Sequence, residues 1–453
     1  MMEWLPLIMF ICVCLCLMAG YPVAFTLAGA SLLFAGLGVM FDWFNPLLLN
    51  ATFNRTFGVM TNQVLVAVPL FVFMGVMLQR SHIAENLLGS MAKLMGNLRG
   101  GLAISVIIVG ALLAASTGIV GATVVTMGML SLPAMLKRGY DPALSTGTIC
   151  ASGTLGQIIP PSIVLILLGE AISSAYRSSY GGDPVNVGDL FIGALIPGIL
   201  LVSLYILYVF GRALINPEVA PEAPPEEQAG SGNLFKEVIQ SLVLPLLLIF
   251  VVLGSILMGW ATPTEASAIG AVGALILALT QKQLSWPVLK DVMISTTKTS
   301  SMVFMILIGA SIFSLVFRAL GGDEAVQSFL QQMPGGVTGA MIIIMLVMFL
   351  LGFILDFIEI IYVVVPIVAP VLLQMGVDPI WLGIMIAINL QASFLTPPFG
   401  FALFYLRGVA PESVATKSIY RGAIPFIIIQ LMVLLILAAF PELATWLPKY
   451  LAE

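Results

Sequence analysis

The chain has 453 residues, 60% of them hydrophobic and only 9% charged, against about 25% charged in soluble domains. That balance excludes a soluble globular protein, and a formal charge of -5 without any basic cluster argues against nucleic acid as a partner. Apolar runs of about 20 residues recur throughout, each enough to cross about 30 Å of hydrocarbon, so the expectation is an all-α polytopic membrane protein.

The first apolar run, 4–19, lacks the positive n-region and small-x-small cleavage site of a signal peptide and reads as a transmembrane helix. Cys12, Cys14 and Cys16 fall within it and Cys150 within a later apolar segment, where cysteine acts as a small apolar residue. Helices follow at about 22–41 and 63–79, then an interfacial helix at 81–98 that includes His82, the single histidine. The segment at about 101–136 reads as two arms meeting at A-A-S-T-G-I-V-G-A-T (114–123). A helix at about 142–176 is broken near 153–160, within T-L-G-Q-I-I-P-P-S-I (154–163), and another runs at 188–212. The stretch 216–233 is acidic, Pro-rich and then Gly/Ser-rich, and is expected to be an extended, mobile cytoplasmic linker. Beyond it lie helices at 237–258 and 264–281, an interfacial helix at 283–298 and a crossing at 299–318. A second two-armed segment at about 337–374 has the middle F-I-L-D-F-I-E (353–359). A helix at about 379–409 is broken near 394–397, within Q-A-S-F-L-T-P-P-F-G (391–400), and a last crossing runs at 422–440.

With the two-armed segments read as re-entrant hairpins and the N-terminus outside, thirteen of the 17 Lys/Arg fall inside, as the positive-inside rule favours. Arg55, Arg177, Arg318 and Lys449 fall outside. The hairpin reading itself rests on the tips: Ser116-Thr117-Gly118 and Asp356 with Glu359 follow arms of about 15 apolar residues, roughly 22 Å of helix and too short to reach water.

A shift of 237 residues superimposes two parts of the chain: Pro133 meets Pro370, Gly139 meets Gly376, Asp141-Pro142 meets Asp378-Pro379, and Pro160-Pro161 meets Pro397-Pro398. With small gaps upstream, Gly101 pairs with Gly339 and Pro22 with Pro263. The expected organisation is a first repeat (1–215), the linker (216–233) and a second repeat (234–453), about 10 transmembrane helices plus two re-entrant hairpins. Five crossings per half make the second repeat inverted relative to the first. An inverted repeat with a broken helix in each half is a recurring plan of secondary transporters, with substrate and ions held near the midplane.

The paired prolines carry the chemistry. Proline has no N–H and clashes with the preceding turn, so Pro160 and Pro161 are expected to free the carbonyls of Gly156 and Gln157, and Pro397 and Pro398 those of Ser393 and Phe394. Freed carbonyls with Ser, Thr and Asn oxygens nearby suit a small hard cation such as Na⁺. The half-helix starting at each Pro-Pro points its positive dipole end at the same place, which suits an anion. A plain packing kink is the alternative for either motif alone.

At these residues the sequence resembles the large membrane (M) subunit of TRAP, the tripartite ATP-independent periplasmic, transporters. T-L-G-Q-I-I-P-P-S, L-T-P-P-F-G-F-A-L-F, G-W-A-T-P-T-E-A-S-A (259–268) and G-Y-P-V-A-F (20–25) carry the resemblance, which covers essentially the whole chain. The tips are similar to a branch labelled as dicarboxylate, keto-acid or mannitol/chloroaromatic carriers. The resemblance implies a Na⁺-coupled elevator: hairpins and broken helices form a moving transport domain, and the other helices a scaffold. It implies an organic acid delivered by a periplasmic solute-binding protein, a small four-helix Q subunit as a separate chain, and a place in the bacterial inner membrane. No enzyme activity and no cofactor beyond Na⁺ as coupling ion are expected. Carried over by motif, one Na⁺ site would draw on Ser116, Thr117, Gly118, Ser152, Gly153, Thr154 and Gly156. A second would draw on Asp356, Asn389, Gln391, Ser393 and Thr396. The substrate would meet Ser116, Thr117, Thr154, Pro160, Pro161, Thr396, Pro397 and Pro398. Ser116-Thr117-Gly118 departs from the Ser-Gly-Ser tip of many relatives.

Other residues have two readings each. Asp356 is a Na⁺ ligand or gate, or with Glu359 a structural partner of the tip backbone. Glu265, after Thr262-Pro263-Thr264, is an N-terminal helix cap or a functional acid. Glu170 is expected at the outer rim facing water, with contact to the substrate path as the alternative. Arg318 and Arg407 end apolar helices and are expected to snorkel, with Arg407 alternatively a carboxylate contact. A self-sufficient Na⁺/anion symporter of similar repeat fold is the alternative function. An intramembrane enzyme is disfavoured because the only histidine is His82.

Overall fold

The computed structural model describes residues 4–81, 83–118, 120–181, 185–222 and 243–452. His82 lies outside them, as do most of the linker and the side chains of Ser116 and Thr117. The described residues fold into helices without strands. In chain order these are α1 (Leu5–Met18), α2 (Val23–Met40), α3 (Ala51–Met60), α4 (Ala67–Arg80), α5 (Ile83–Leu94), α6 (Gly101–Thr117), α7 (Val120–Lys137), α8 (Pro142–Thr154), α9 (Ile163–Tyr180) and α10 (Val187–Ile215). Then follow α11 (Leu244–Leu257), α12 (Pro263–Thr280), α13 (Trp286–Ala319), α14 (Gly322–Gln331), α15 (Gly336–Leu351), α16 (Phe357–Val363), α17 (Val365–Gln374), α18 (Pro379–Leu395), α19 (Phe401–Val409), α20 (Thr416–Ala439) and α21 (Glu442–Ala452). Among the described residues, six helices are long and apolar enough to cross a membrane, or up to eight if each bent pair is one span. Large apolar side chains such as Leu33, Leu207, Phe250 and Leu435 lie exposed on the outer helix faces, the placement expected where lipid is the solvent.

Each half repeats one local design. Gly139 and Gly376 close a helix at φ 78° and 90°, a backbone state open to glycine at no steric cost. Asp141 then caps α8 by accepting from the Leu144 N–H, and Asp378 caps α18 by accepting from the Ile380 and Trp381 N–H groups. Pro142 and Pro379 take the first helical position, where their missing N–H costs nothing. The repeated G-x-D-P is therefore a helix stop followed by a helix start.

Packing between helices relies on close backbone approach, as expected where lipid removes the hydrophobic drive for association. A Cβ on Gly147 of α8 would lie 2.0 Å from the Gly422 carbonyl oxygen of α20, and one on Gly422 would lie 2.0 Å from the Ala143 oxygen. Helix α13 packs along α2, where Gly309 meets the Ala24 carbonyl, and α12 packs along α4, where Gly270 meets Met74. The two pairings exchange under the 237-residue shift.

Several expectations are corrected. The interfacial helix at 283–298 and the crossing at 299–318 are one 34-residue helix, α13, because no Gly or Pro interrupts the polar run S-T-T-K-T-S-S before it turns apolar. The arms of the first two-armed segment are 17 and 18 residues, longer than the arm-length argument assumed. The N-terminal part of the linker is not extended and free: the Gly100 and Asp141 N–H groups donate to the Ala220 and Val219 carbonyls, and Arg99 pairs with Glu222 at 2.9 Å. Short helices α3, α14 and α21 went unread, because 10 or 11 residues give little periodic signal.

Candidate functional site

Both predicted breaks exist, slightly later than expected. Helix α8 passes through a 3-10 turn (Leu155–Gln157) and stops; α9 begins at Ile163. Helix α18 stops at Leu395 and α19 begins at Phe401. The half-helices do not start at the Pro-Pro pairs. The prolines lie in the connections, both Pro-Pro bonds are cis, and Ser162 and Gly400 are the N-cap residues. Pro160 and Pro161 are buried, Pro397 is half-buried and Pro398 exposed.

The two tips meet the two breaks. Gly118, which ends α6 in the left-handed region, abuts Ile163 at the start of α9: a Cβ there would lie 2.8 Å from the Ile163 side chain. Gly352, past the end of α15, abuts Ser393 beside the second break. Equivalent positions make equivalent contacts. Ser152 packs on Gly110 of α6, while Asn389 Nδ2 donates to the Met345 carbonyl of α15 at 2.8 Å. Gly156 packs on Ala114 where its counterpart Ser393 packs on Gly352. Gly153 rests against Val124 of α7.

Ser152, Gly153, Thr154 and Gly156 thus form one buried set and Asn389, Gln391 and Ser393 another. They meet where Gln391 Nε2 donates to Thr154 Oγ1 at 3.4 Å. Gln430 of α20 joins them, its Nε2 also 3.4 Å from Thr154 Oγ1. The Gln391 and Gln430 carbonyl oxygens are buried and lack a partner among the described residues, as do both amide atoms of Gln157. The side-chain amides of Gln157 and Gln430 were missed from sequence, which named only the Gln157 carbonyl. The available signal was that each is a lone amide within an apolar run, where a polar group is costly unless satisfied. Several hydroxyls are turned to their own helix: Ser152 to Ile149, Thr154 to Ala151, Ser393 to Leu390 and Thr396 to Ala392.

Two of the four carbonyls expected to be free are occupied. The Ser162 hydroxyl donates to Gln157 O at 3.1 Å, and the Thr396 N–H to Ser393 O at 3.1 Å. Asp356 and Glu359 form a capping box on α16: Asp356 Oδ1 accepts from the Phe357 N–H at 2.7 Å, and Glu359 Oε2 from the Asp356 N–H at 3.2 Å. Glu265 does the same for Thr262 at 2.8 Å. Arg407, exposed, donates to the Val414 carbonyl and meets no carboxylate among the described residues. Arg318 pairs with Asp323 at 3.3 Å and donates to the Pro366 carbonyl at 3.2 Å. Glu170, half-buried, accepts from Asn62 at 2.8 Å.

Two cavities lie elsewhere in the helix packing, neither lined by residues of this junction. One, of about 380 Å³, lies among α3, α9, α13, α16 and α17, with Arg55, Glu170, Arg318 and Tyr362 on its wall. The other, of about 770 Å³, lies among α4, α7 and α13, with Gln79, Arg80, Thr126 and Asp291 on its wall. They are counterparts under the 237-residue shift: Tyr362 and Pro366 of the first correspond to Val125 and Met129 of the second, and Gly58 to Ser295. Their seams differ. Helix α16 packs against α13, whereas its counterpart α7 is bridged to α4 by Gln79, whose amide reaches the Ala122 carbonyl and the Thr126 hydroxyl.

Comparison with known proteins gives the chain its family. The tripartite ATP-independent periplasmic transporter family, DctM component, matches residues 10–443. The chain is 28% identical to the C4-dicarboxylate TRAP transporter large permease protein DctM of Pseudomonas aeruginosa, over 90% of this chain and 91% of that one. It is 30% identical to a putative TRAP transporter large permease protein of Haemophilus influenzae, over 84% and 90%. Among solved structures, the YdaH transporter of Alcanivorax borkumensis superimposes with a TM-score of 0.64 at 14% identity, covering 97% of this chain and 98% of that one, a likeness of fold. The chain is a multi-pass membrane protein and belongs to the DctM, large permease, family of tripartite ATP-independent periplasmic transporters.

Proposed function

We propose that this chain is the membrane permease of a Na⁺-coupled organic-acid importer in the bacterial inner membrane. In this reading the acid is handed over by a periplasmic binding protein, and a small four-helix Q subunit braces the permease as a separate chain. A relative named for isethionate, DctMQ of Oleidesulfovibrio alaskensis, is longer, and the chain spans 57% of it. Relatives named for C4-dicarboxylates, isethionate and sialic acid support an organic acid as cargo.

The observation that carries the reading is the Thr154–Gln391 hydrogen bond. Two positions 237 apart, equivalent in the repeat, touch each other. Equivalent residues of a two-fold repeat touch only at its axis, so both breaks and both tips converge at one place. The orphan oxygen of Gln391 there fits a hard cation, which takes oxygen ligands. Na⁺ is cargo alongside the acid, and Asn389, Ser152, Gly156 and Thr396 stand around the same two breaks. The N-termini of α9 and α19 favour the carboxylate.

Helices α6–α10 and α15–α20 would move as the transport domain, against a scaffold of α1–α4 and α11–α13. The larger cavity on the Arg80 face, with α16 packed on α13 at the other face, supports an inward-facing state. The test is uptake into proteoliposomes holding this chain, the Q subunit and the binding protein under a sodium gradient. The reading expects uptake only with all three and sodium. Uptake without the binding protein would favour a self-sufficient Na⁺/anion symporter instead.

A further inference from the structure

The cavity of about 380 Å³ falls in the size range of small-ligand pockets, and its charges do not cancel. Arg318 is paired with Asp323. Glu170, whose charge also reaches Tyr362, is engaged by Asn62 at 2.8 Å and Arg177 at 3.4 Å. Arg55 has only distant compensation: its Nη1 makes a long 3.4 Å bond to the Ser311 carbonyl, Asp323 acts on it from beyond contact, and among the described residues no carboxylate lies within ion-pair distance of it. Tyr362, also on the wall, has a buried hydroxyl without a hydrogen-bond partner among the described residues.

The counterpart cavity lacks both features. Its arginine, Arg80, is neutralised by Asp291 at 2.9 Å, and Val125 stands where Tyr362 stands. A surplus guanidinium with a spare hydroxyl donor is the equipment for one carboxylate. A paired arginine beside valine has no such surplus.

Resting on the organic-acid reading, we propose that Arg55, with the Tyr362 hydroxyl donating alongside, is a loading site for one carboxylate group of the cargo. The cavity then takes a small carboxylic acid on the face where Arg55 lies, and the acid leaves through the counterpart cavity, where no free positive charge retains it. The site lies on the seam between α3 and α13 on one side and α9, α16 and α17 on the other, so movement of the latter group would pull it apart.

The complete transporter in proteoliposomes is offered a panel of C2 to C6 mono- and dicarboxylates, and the acid taken up fastest becomes the probe. Arg55→Gln is expected to raise KM for that acid by about 10-fold or more, the weight of a charged hydrogen bond, with half-saturating sodium unchanged. Arg55→Lys should recover part of the loss, and Tyr362→Phe should raise KM less than Arg55→Gln. Because Arg55→Gln could impair folding, wild-type protein is also labelled with the arginine reagent phenylglyoxal and mapped by mass spectrometry. The acid should protect Arg55 and leave Arg212, far along α10, unprotected. Unchanged KM in Arg55→Gln, or labelling of Arg55 indifferent to the acid, overturns the loading site alone. Wild-type protein that takes up no carboxylate overturns the organic-acid reading and this site with it.

Discussion

Thr154 and Gln391 are 237 residues apart and hydrogen-bonded to each other at 3.4 Å. The sequence repeat has the same period, so the two residues are one position seen twice. Around them the halves make the same contacts in duplicate, Ser152 and Asn389 each facing the first arm of the neighbouring hairpin. Function is proposed at this junction, because it is where equivalent positions of the two broken helices meet.

Gln391→Leu separates a binding role from a structural one. The Gln391 amide makes one long bond and leaves its oxygen unpaired in the interior, and a buried unsatisfied group costs about 1–3 kcal/mol. An apolar replacement of similar size should leave the melting temperature unchanged or raise it, while half-saturating sodium for uptake rises several-fold. Thermal melts in nanodiscs beside a sodium titration check both halves of that expectation.

Asp356 is claimed by the backbone as a helix cap, which Asn serves nearly as well as Asp. Asp356→Asn should therefore keep stability, and Asp356→Ala should lose about 1 kcal/mol. A large rise in half-saturating sodium for Asp356→Asn would show that the carboxylate charge acts on the ion as well as on the helix.

The α8–α20 crossing admits no side chain at Gly147, where a Cβ would sit 2.0 Å from a carbonyl oxygen. Gly147→Val should cost at least the 1–3 kcal/mol typical of overpacking, roughly, and reduce the yield of monodisperse protein. Gly36→Ala, at a position with open space around it, should not. Size-exclusion profiles of the two variants make the comparison.

Ser295 and Ser314 line the larger and smaller cavity respectively. In a background without Cys12, Cys14, Cys16 and Cys150, Ser295→Cys should react with an impermeant thiol reagent applied from the Arg80 face. Ser314→Cys should be labelled more slowly, and only from the opposite face. Equal labelling of both from one face would contradict the topology and the inward-facing assignment.

Much of this was legible in residues with restricted backbones. Gly139 and Gly376, Asp141 and Asp378, and the prolines declare their conformations wherever they occur, so the breaks and helix boundaries could be read from one chain. Residues that act through tertiary contact gave no such sign. Gln157 and Gln430 are single amides in apolar runs, and only packing puts Gln430 against Thr154. Arg318 and Arg55 looked like ordinary flanking charges, because sequence does not reveal that α3 packs on α13 and brings them to a common cavity. The expected free carbonyls of Gln157 and Ser393 failed for a local reason: Ser162 and the Thr396 N–H lie close enough in sequence to take them.

The most direct measurement is a double-mutant cycle on sodium dependence, using Thr154→Ala, Gln391→Ala and the pair in the reconstituted complete transporter. Each single change should raise half-saturating sodium, and the double change should raise it by less than the two combined, because the residues act on one ion at one contact. Sodium dependence that stays at the wild-type value in all three would contradict the account.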